Sequence, residues 1–138
     1  MTIRLLVVDD TDHVRRMLVE ILSMHGFEIA AEAADGAEAV GEARRADPDI
    51  VVMDYKMPGT DGLEATRRIR AERPDQTVIL YSAYLDEAVR ARAREAGVSA
   101  CVAKPSGVEA LATEISALAM DIRGDHGGQE DSSRARQS

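Results

Sequence analysis

Short apolar runs and helix-like patterns alternate along the chain. The apolar runs predict five strands, over residues 3–8, 27–33, 49–54, 77–81 and 100–103. Between them, apolar residues recur at intervals of three and four, the spacing that lines one face of an α-helix. This pattern is clearest over 12–25 and from Val108 to Ile122. Strands that alternate with helices predict βαβ units, and hence a parallel sheet covered by helices on both faces.

Capping residues mark several helix boundaries. Asp35, Asp61 and Ser106 are each followed three positions later by Glu, the spacing of a capping box, and so each predicts a helix start. Gly26 and Gly97 stand where the first and fourth helices should end.

The polarity of the strands predicts their order in the sheet. Strand 2 contains Glu28 and Glu32, which suit an edge, whereas strands 1, 3 and 4 are almost wholly apolar. With right-handed crossovers, the expected α/β fold is a five-stranded parallel sheet of order 2-1-3-4-5, a flavodoxin-like (βα)5 arrangement. One domain is expected over 1–122. Residues 123–138 lack periodicity and are predicted to form a disordered tail.

Composition narrows the classes of partner. The 138 residues carry a formal net charge of −8, and aromatic residues make up only 3%. This surface would repel nucleic acid and anionic membranes, so direct contact with either is not expected. Cys101 is the only cysteine, which excludes an internal disulfide. Because neither a signal peptide nor an apolar run of bilayer-spanning length is apparent, a cytoplasmic location is expected.

Polar side chains follow four of the predicted strands. Asp9 and Asp10 end strand 1, Asp54 ends strand 3, Ser82 ends strand 4 and Lys104 follows strand 5. The carboxyl ends of parallel strands share one edge, so these groups should converge there. Three neighbouring carboxylates repel one another unless a cation is present, and their hard oxygens suit Mg²⁺. A carboxylate can also act as a nucleophile toward phosphorus.

These motifs, in this order and spacing, resemble the receiver domain of two-component response regulators over about residues 3–122. The residues that carry the resemblance are Asp9-Asp10, Asp54, Met57-Pro58, Asp61-Gly62, Ser82-Ala83 and Lys104-Pro105.

The resemblance implies a role for each acidic residue. Asp54 would be the phosphoacceptor. Asp9, Asp10, Asp54 and the backbone carbonyl of Lys56 would hold Mg²⁺, or Mn²⁺ in its place.

The resemblance also implies roles for the residues after strands 4 and 5. Ser82 matches the switch hydroxyl and Lys104 the lysine that pairs with the phosphoryl group. A cis peptide bond is expected before Pro105, at a cost of about 0.5–1 kcal/mol for an X-Pro bond.

One position departs from the family pattern, and two others are predicted to affect how long the phosphoryl group persists. Cys101 replaces the usual Tyr or Phe of the switch, and is interpreted either as a small buried hydrophobe or as a redox site. Lys56 and Tyr84 are predicted to modulate the phosphoryl lifetime, and Tyr84 is an alternative candidate for the missing mobile aromatic.

The run at 90–95, RARARE, is either a basic docking stripe or a solvated helix face.

The function that the resemblance implies is a phosphorylation switch. Such a protein is not an enzyme in the usual sense, because it catalyses only its own phosphorylation and dephosphorylation. A sensor histidine kinase or phosphotransfer protein would phosphorylate it, and an unknown downstream protein would bind it. Since no output domain follows residue 122, a stand-alone receiver is expected. A scaffold receiver that acts without phosphorylation is the alternative. An aspartyl phosphatase is rejected because Lys56 stands where a second acid is needed, and a dinucleotide site because no Gly-rich motif follows strand 1.

Overall fold

Five strands and five α-helices alternate in the computed structural model, which describes residues 2–127 and the side chains of residues 2–122. The strands are β1 Arg4–Val8, β2 Glu28–Ala33, β3 Ile50–Met53, β4 Thr77–Ser82 and β5 Ala100–Ala103. The helices are α1 Asp12–Met24, α2 Gly36–Ala46, α3 Gly62–Glu72, α4 Glu87–Ala96 and α5 Val108–Gly127, with a short 3-10 helix at Lys104–Ser106.

The strands form one parallel sheet in the order β2-β1-β3-β4-β5, which confirms the predicted fold class. The apolar strands β1, β3 and β4 occupy its centre, and β2, with its exposed Glu28 and Glu32, lies at an edge. The β1–β2 register shifts between Leu5 and Leu6, whereas β1 and β3 pair without interruption. Within the sheet, β2 pairs only with β1, and this edge position leaves room for its glutamate side chains in solvent.

Each face of the sheet carries its own hydrophobic core. Alternate residues of a strand point to opposite faces, so Leu6 and Val8 join one core while Leu5 and Val7 join the other. The first core is completed by α2, α3 and α4, and the second by α1 and α5. The two layers of helices cover both faces of the sheet, so the loops at the carboxyl edge start from strands that are packed on both sides.

Two of the predicted capping residues begin helices as expected. Asp35 Oδ1 accepts the amide of Glu38 at 2.8 Å, and Asp61 Oδ1 accepts the amides of Leu63 and Glu64 at 2.9 Å. Gly97 ends α4 in a left-handed conformation with φ 99°, which glycine adopts without steric cost.

The predicted cap at Ser106 is wrong. Helix α5 begins at Val108, and the carbonyl of Gly107 accepts the first helical hydrogen bond from Leu111 at 3.3 Å. Lys104, Pro105 and Ser106 form the 3-10 turn instead. This turn shifts the helix start by one residue, and Ser106 caps no amide within residues 2–127.

The predicted boundary between the domain and the tail, after residue 122, stays a prediction. Helix α5 continues to Gly127, so residues 123–127 are helical, while residues 128–138 lie outside the described residues. The apolar pattern ends at Ile122 because it reports packing against the sheet, not helical hydrogen bonding as such. None of the described helices is long and apolar enough to cross a membrane.

Candidate functional site

The carboxyl edge of the sheet gathers three carboxylates from two strand ends. Asp9 and Asp10 follow β1, and Asp54 follows β3; each offers one oxygen, and these oxygens lie within 4.8 Å of one another. Asp9 and Asp54 are buried, with 1% and 8% of their surfaces exposed. Adjacency of β1 and β3 in the sheet brings the residues together, as the sequence predicted from their strand-end positions.

Lys104 supplies the positive charge beside this acidic group. Its Nζ lies 3.0 Å from Asp9 Oδ2 and 3.4 Å from Asp54 Oδ2. One ammonium does not balance three carboxylates, and the donors are all hard oxygens. The set therefore fits a divalent cation such as Mg²⁺, which uses one or two carboxylates together with other oxygen ligands.

The ionisation of these groups reflects the competition between burial and charge. Burial raises the pKa of Asp54; Lys104 offsets part of this effect, and the negative charge of Asp9 adds to it. Burial alone would lower the pKa of Lys104, but its hydrogen bond to Asp9 and the charge of Asp54 outweigh burial and raise it. Lys104 is thus held charged beside the carboxylates.

The loop after Asp54 is fixed by backbone hydrogen bonds. The amide of Tyr55 donates to Asp54 Oδ1 at 2.8 Å, and the carbonyl of Tyr55 accepts the amide of Gly62 at 2.8 Å. A Cβ at Gly62 would lie 2.0 Å from the carbonyl oxygen of Asp54, so only glycine permits this approach. Sequence reasoning placed Gly62 in a helix start and missed its contact with the candidate nucleophile.

Ser82 lies at the end of β4 and is fully buried. Its Oγ accepts the amide of Tyr84 at 3.0 Å, which fixes the turn that follows. The Tyr84 side chain is 59% exposed, and the Lys56 ammonium lies 5.9 Å from its ring centroid. The two residues predicted to modulate the phosphoryl lifetime are therefore neighbours, although they come from different loops.

Arg15 is a further residue of this edge that sequence reasoning missed. Its guanidinium donates to the backbone carbonyl of Asp9 at 2.7 Å, to Asp12 at 2.8 Å and to Glu32 at 3.1 Å. It thereby braces the loop that carries Asp9 and Asp10. A signal was present in the sequence, since an arginine three residues after Asp12 shares its helix face.

Cys101 lies on the edge strand β5 and is half-buried against the core that includes α4. Burial raises the pKa of its thiol, and the charges of Arg90 and Arg94 offset part of that effect. A thiol with a raised pKa is a poor nucleophile, which favours the interpretation as a small hydrophobe over a redox site.

The expected cis peptide bond before Pro105 is not found. None of the peptide bonds within residues 2–127 is cis, so Lys104–Pro105 is trans. The 3-10 turn places Pro105 in its first positions, where the ring's fixed φ and missing N–H are tolerated. The trans bond still leaves Lys104 beside Asp9 and Asp54.

Comparison with known proteins gives consistent matches. The family model described as response regulator receiver domain matches residues 5–116. The transcriptional regulatory protein PdtaR of Mycobacterium tuberculosis is 39% identical over 112 residues, covering 81% of this chain and 54% of PdtaR. The chemotaxis protein CheY of Thermotoga maritima is 38% identical over 102 residues, covering 74% of this chain and 85% of that protein. The chain thus spans about half the length of PdtaR and of several other curated relatives.

A solved structure agrees with these sequence matches. The CheX–CheY–BeF3–Mg²⁺ complex from Borrelia burgdorferi contains a chain that superposes with a TM-score of 0.80 at 28% identity. The match covers 84% of this chain and 88% of that one. With the family match over most of the described residues, the conclusion is direct: the chain belongs to the response regulator receiver domain family, a class of signalling module.

Proposed function

We propose that this receiver accepts a phosphoryl group on Asp54 in a reaction that depends on a divalent cation, and that the modification controls binding of a partner protein. The observation that carries the proposal is the convergence of Asp9, Asp10 and Asp54 on one edge with the Lys104 ammonium beside them. A structural core needs no such set of charges, whereas phosphoryl transfer requires positioning and charge neutralisation.

The carboxylates of Asp9, Asp10 and Asp54, with the backbone carbonyl of Lys56, would hold Mg²⁺ or Mn²⁺. When bound, the ion would supply positive charge that offsets the negative charge of the incoming phosphoryl group. Asp9 and Asp54 contribute buried oxygens, and Asp10 lies closer to solvent. Arg15 and the amide of Tyr55 hold the backbone of this edge in place.

In the transfer step, a carboxylate oxygen of Asp54 forms a bond to phosphorus as the bond from phosphorus to the donor breaks. For a phosphohistidine donor, the imidazole nitrogen keeps the electron pair of the P–N bond and takes up a proton. Lys104 would stabilise the charge on the phosphoryl oxygens, and the Ser82 hydroxyl would donate a hydrogen bond to one of them. A sensor histidine kinase or phosphotransfer protein is the proposed donor.

The same contacts would drive the switch. Movement of Ser82 and Lys104 toward the phosphoryl group would favour one of two arrangements of their loops. Shifting such an equilibrium from 1:99 to 99:1 requires about 5.5 kcal/mol of differential stabilisation. Because Cys101 offers no aromatic ring, a group other than residue 101 would carry the change to the helices. Lys56 and Tyr84, which lie side by side, would restrict the approach of water and so lengthen the phosphoryl lifetime.

Incubation with acetyl phosphate and Mg²⁺, followed by intact mass measurement, tests the proposal. We expect a mass gain of one phosphoryl group in the wild type and none in Asp54→Asn or without a divalent cation. The matched control is Asp75→Asn, because Asp75 is an exposed aspartate just before β4, at the opposite edge of the sheet. No gain in the wild type would contradict the proposal and favour the scaffold alternative.

A further inference from the structure

Tyr55 and Arg92 form a link between the phosphorylation site and helix α4. The sequence analysis assigned no role to Tyr55 and considered Arg92 only as part of the 90–95 run. The structure joins them: Arg92 Nη2 donates to the Tyr55 hydroxyl at 2.9 Å, and its guanidinium carbon lies 5.8 Å from the ring centroid. Within residues 2–122, Arg92 has no carboxylate partner, so Tyr55 is its polar contact there.

Tyr55 is also the residue that holds the Lys56 side chain. The Lys56 ammonium lies 5.1 Å from the centroid of the Tyr55 ring and 5.9 Å from that of Tyr84. Both distances are within the range of a cation–π contact. Because Tyr84 is 59% exposed and Tyr55 only 6%, the Tyr55 ring is the fixed side of this pair and Tyr84 the free one.

The backbone of Tyr55 is tied to the candidate nucleophile itself. Its amide donates to Asp54 Oδ1, and its carbonyl accepts the Gly62 amide, both at 2.8 Å. The backbone of Tyr55, from which its ring extends, therefore cannot shift freely relative to Asp54. A change of charge on the Asp54 carboxylate acts at once on the amide of Tyr55.

The strand that packs against α4 presents only a small side chain to that core at position 101. Cys101, on the strand beneath α4, is a small half-buried side chain with Arg90 and Arg94 nearby. It cannot move bulk toward or away from α4. The Tyr55–Arg92 pair is a larger and more polar connection between the site and the same helix.

We infer that Tyr55 and Arg92 are positioning residues that couple α4 to the lifetime of the phosphoryl group. Arg92 holds the Tyr55 ring, and Tyr55 holds the ammonium of Lys56, which stands two residues after Asp54. The inference rests on the proposed function of Asp54 and Lys56. Coupling free energies are reciprocal for binding, so a partner that displaces Arg92 would change the state of the site, and phosphorylation would change how α4 is held.

The decay of the phosphorylated protein tests this inference. Wild type and variants are loaded with acetyl phosphate and Mg²⁺, the donor is removed, and intact mass follows the loss of the phosphoryl group. We expect Tyr55→Leu to speed the decay by about two- to fivefold, which is the factor that corresponds to the free energy of one exposed cation–π contact. Tyr55→Phe, which keeps the ring, and Arg92→Gln should each speed it by about twofold.

Two comparisons separate positioning from a merely structural role. In a Lys56→Ala background, Tyr55→Leu should have no further effect on decay, and combining Tyr55→Phe with Arg92→Gln should do no more than either change alone. The matched control is Arg94→Gln, because Arg94 lies on α4 but has neither a hydrogen bond nor a cation–π contact with Tyr55 in the described chain. Urea unfolding of each variant shows whether the fold is intact.

The outcomes distinguish the inference from the proposed function. If the wild type gains no phosphoryl group, the proposed function fails and the inference fails with it. If the wild type is phosphorylated and Lys56→Ala changes the decay, but Tyr55→Phe, Tyr55→Leu and Arg92→Gln decay like the wild type, only the inference is overturned. Additive effects of Tyr55→Leu and Lys56→Ala would also overturn it.

Discussion

Replacing glycine by alanine should have opposite effects at Gly41 and Gly62. Gly41 lies on the exposed face of α2, and a Cβ there would meet nothing within 4 Å. At Gly62, a Cβ would lie 2.0 Å from the carbonyl oxygen of Asp54 and 3.0 Å from Met53 Cγ. The same added methyl group is therefore free at one site and blocked by backbone at the other.

The expected size of each effect follows from these contacts. Alanine in an exposed helix interior is more favourable than glycine, so Gly41→Ala should raise the free energy of unfolding by about 0.5–1 kcal/mol. At Gly62, the helix start must move by more than about 1 Å to relieve the clash. Overpacking of this kind costs about 1–3 kcal/mol, and strain on the 2.8 Å hydrogen bond to Tyr55 adds about 1 kcal/mol. Gly62→Ala should therefore lower the free energy of unfolding by roughly 2–4 kcal/mol.

Urea unfolding followed by circular dichroism measures both effects. With a slope of about 1–3 kcal/mol per M for a domain of this size, Gly62→Ala should lower the midpoint by roughly 0.7–4 M, and Gly41→Ala should raise it slightly. Phosphorylation of Gly62→Ala should also be slower, because the carbonyl that the added methyl group would press against belongs to Asp54. A Gly62→Ala protein as stable as the wild type would refute the close approach of α3 to the Asp54 carbonyl.

Three further predictions concern charge and the thiol. Mg²⁺ at ten times its Kd should raise the free energy of unfolding by about 1.4 kcal/mol, and Asp54→Asn should reduce this gain in thermal scans; an equal gain in both proteins would contradict the metal site. In NMR titration, His25 should show a pKa above its ordinary value because its ring bonds the Ile21 carbonyl and Glu109, and Glu109→Gln should lower it. This contact stabilises the fold fully below the unfolded pKa of His25, about 6.5, and is lost as pH rises through the folded pKa. Cys101 should react with iodoacetamide more slowly than a free thiol at pH 8, since burial raises its pKa; a reaction at the free-thiol rate would show that the site is open.

Features that depend on the polarity and spacing of nearby residues were predicted well. The strands agree with their apolar runs to within about one residue at each end, because a buried strand and its flanking turns differ sharply in polarity. The starts at Asp35 and Asp61 were also predictable, since a cap is a contact between residues three positions apart. The convergence of the acids followed from strand order, which fixes the edge where Asp9 and Asp54 emerge.

Features that depend on the approach of distant segments were missed or wrong. The trans bond before Pro105 and the late start of α5 depend on how one turn fits between β5 and its helix. The contact of Arg92 with Tyr55 joins residues 37 positions apart, and no local spacing predicts it.

The sequence by itself therefore determined the elements, their order and the edge at which the acids meet, because these depend on polarity and on short-range hydrogen bonding. Only the tertiary structure decided which atoms touch across that edge: Lys104 on Asp9, Gly62 on the Asp54 carbonyl and Arg92 on Tyr55. Such contacts are made or lost when the distance between two segments changes by a few tenths of an ångström, and these distances are set by the packing of the whole domain.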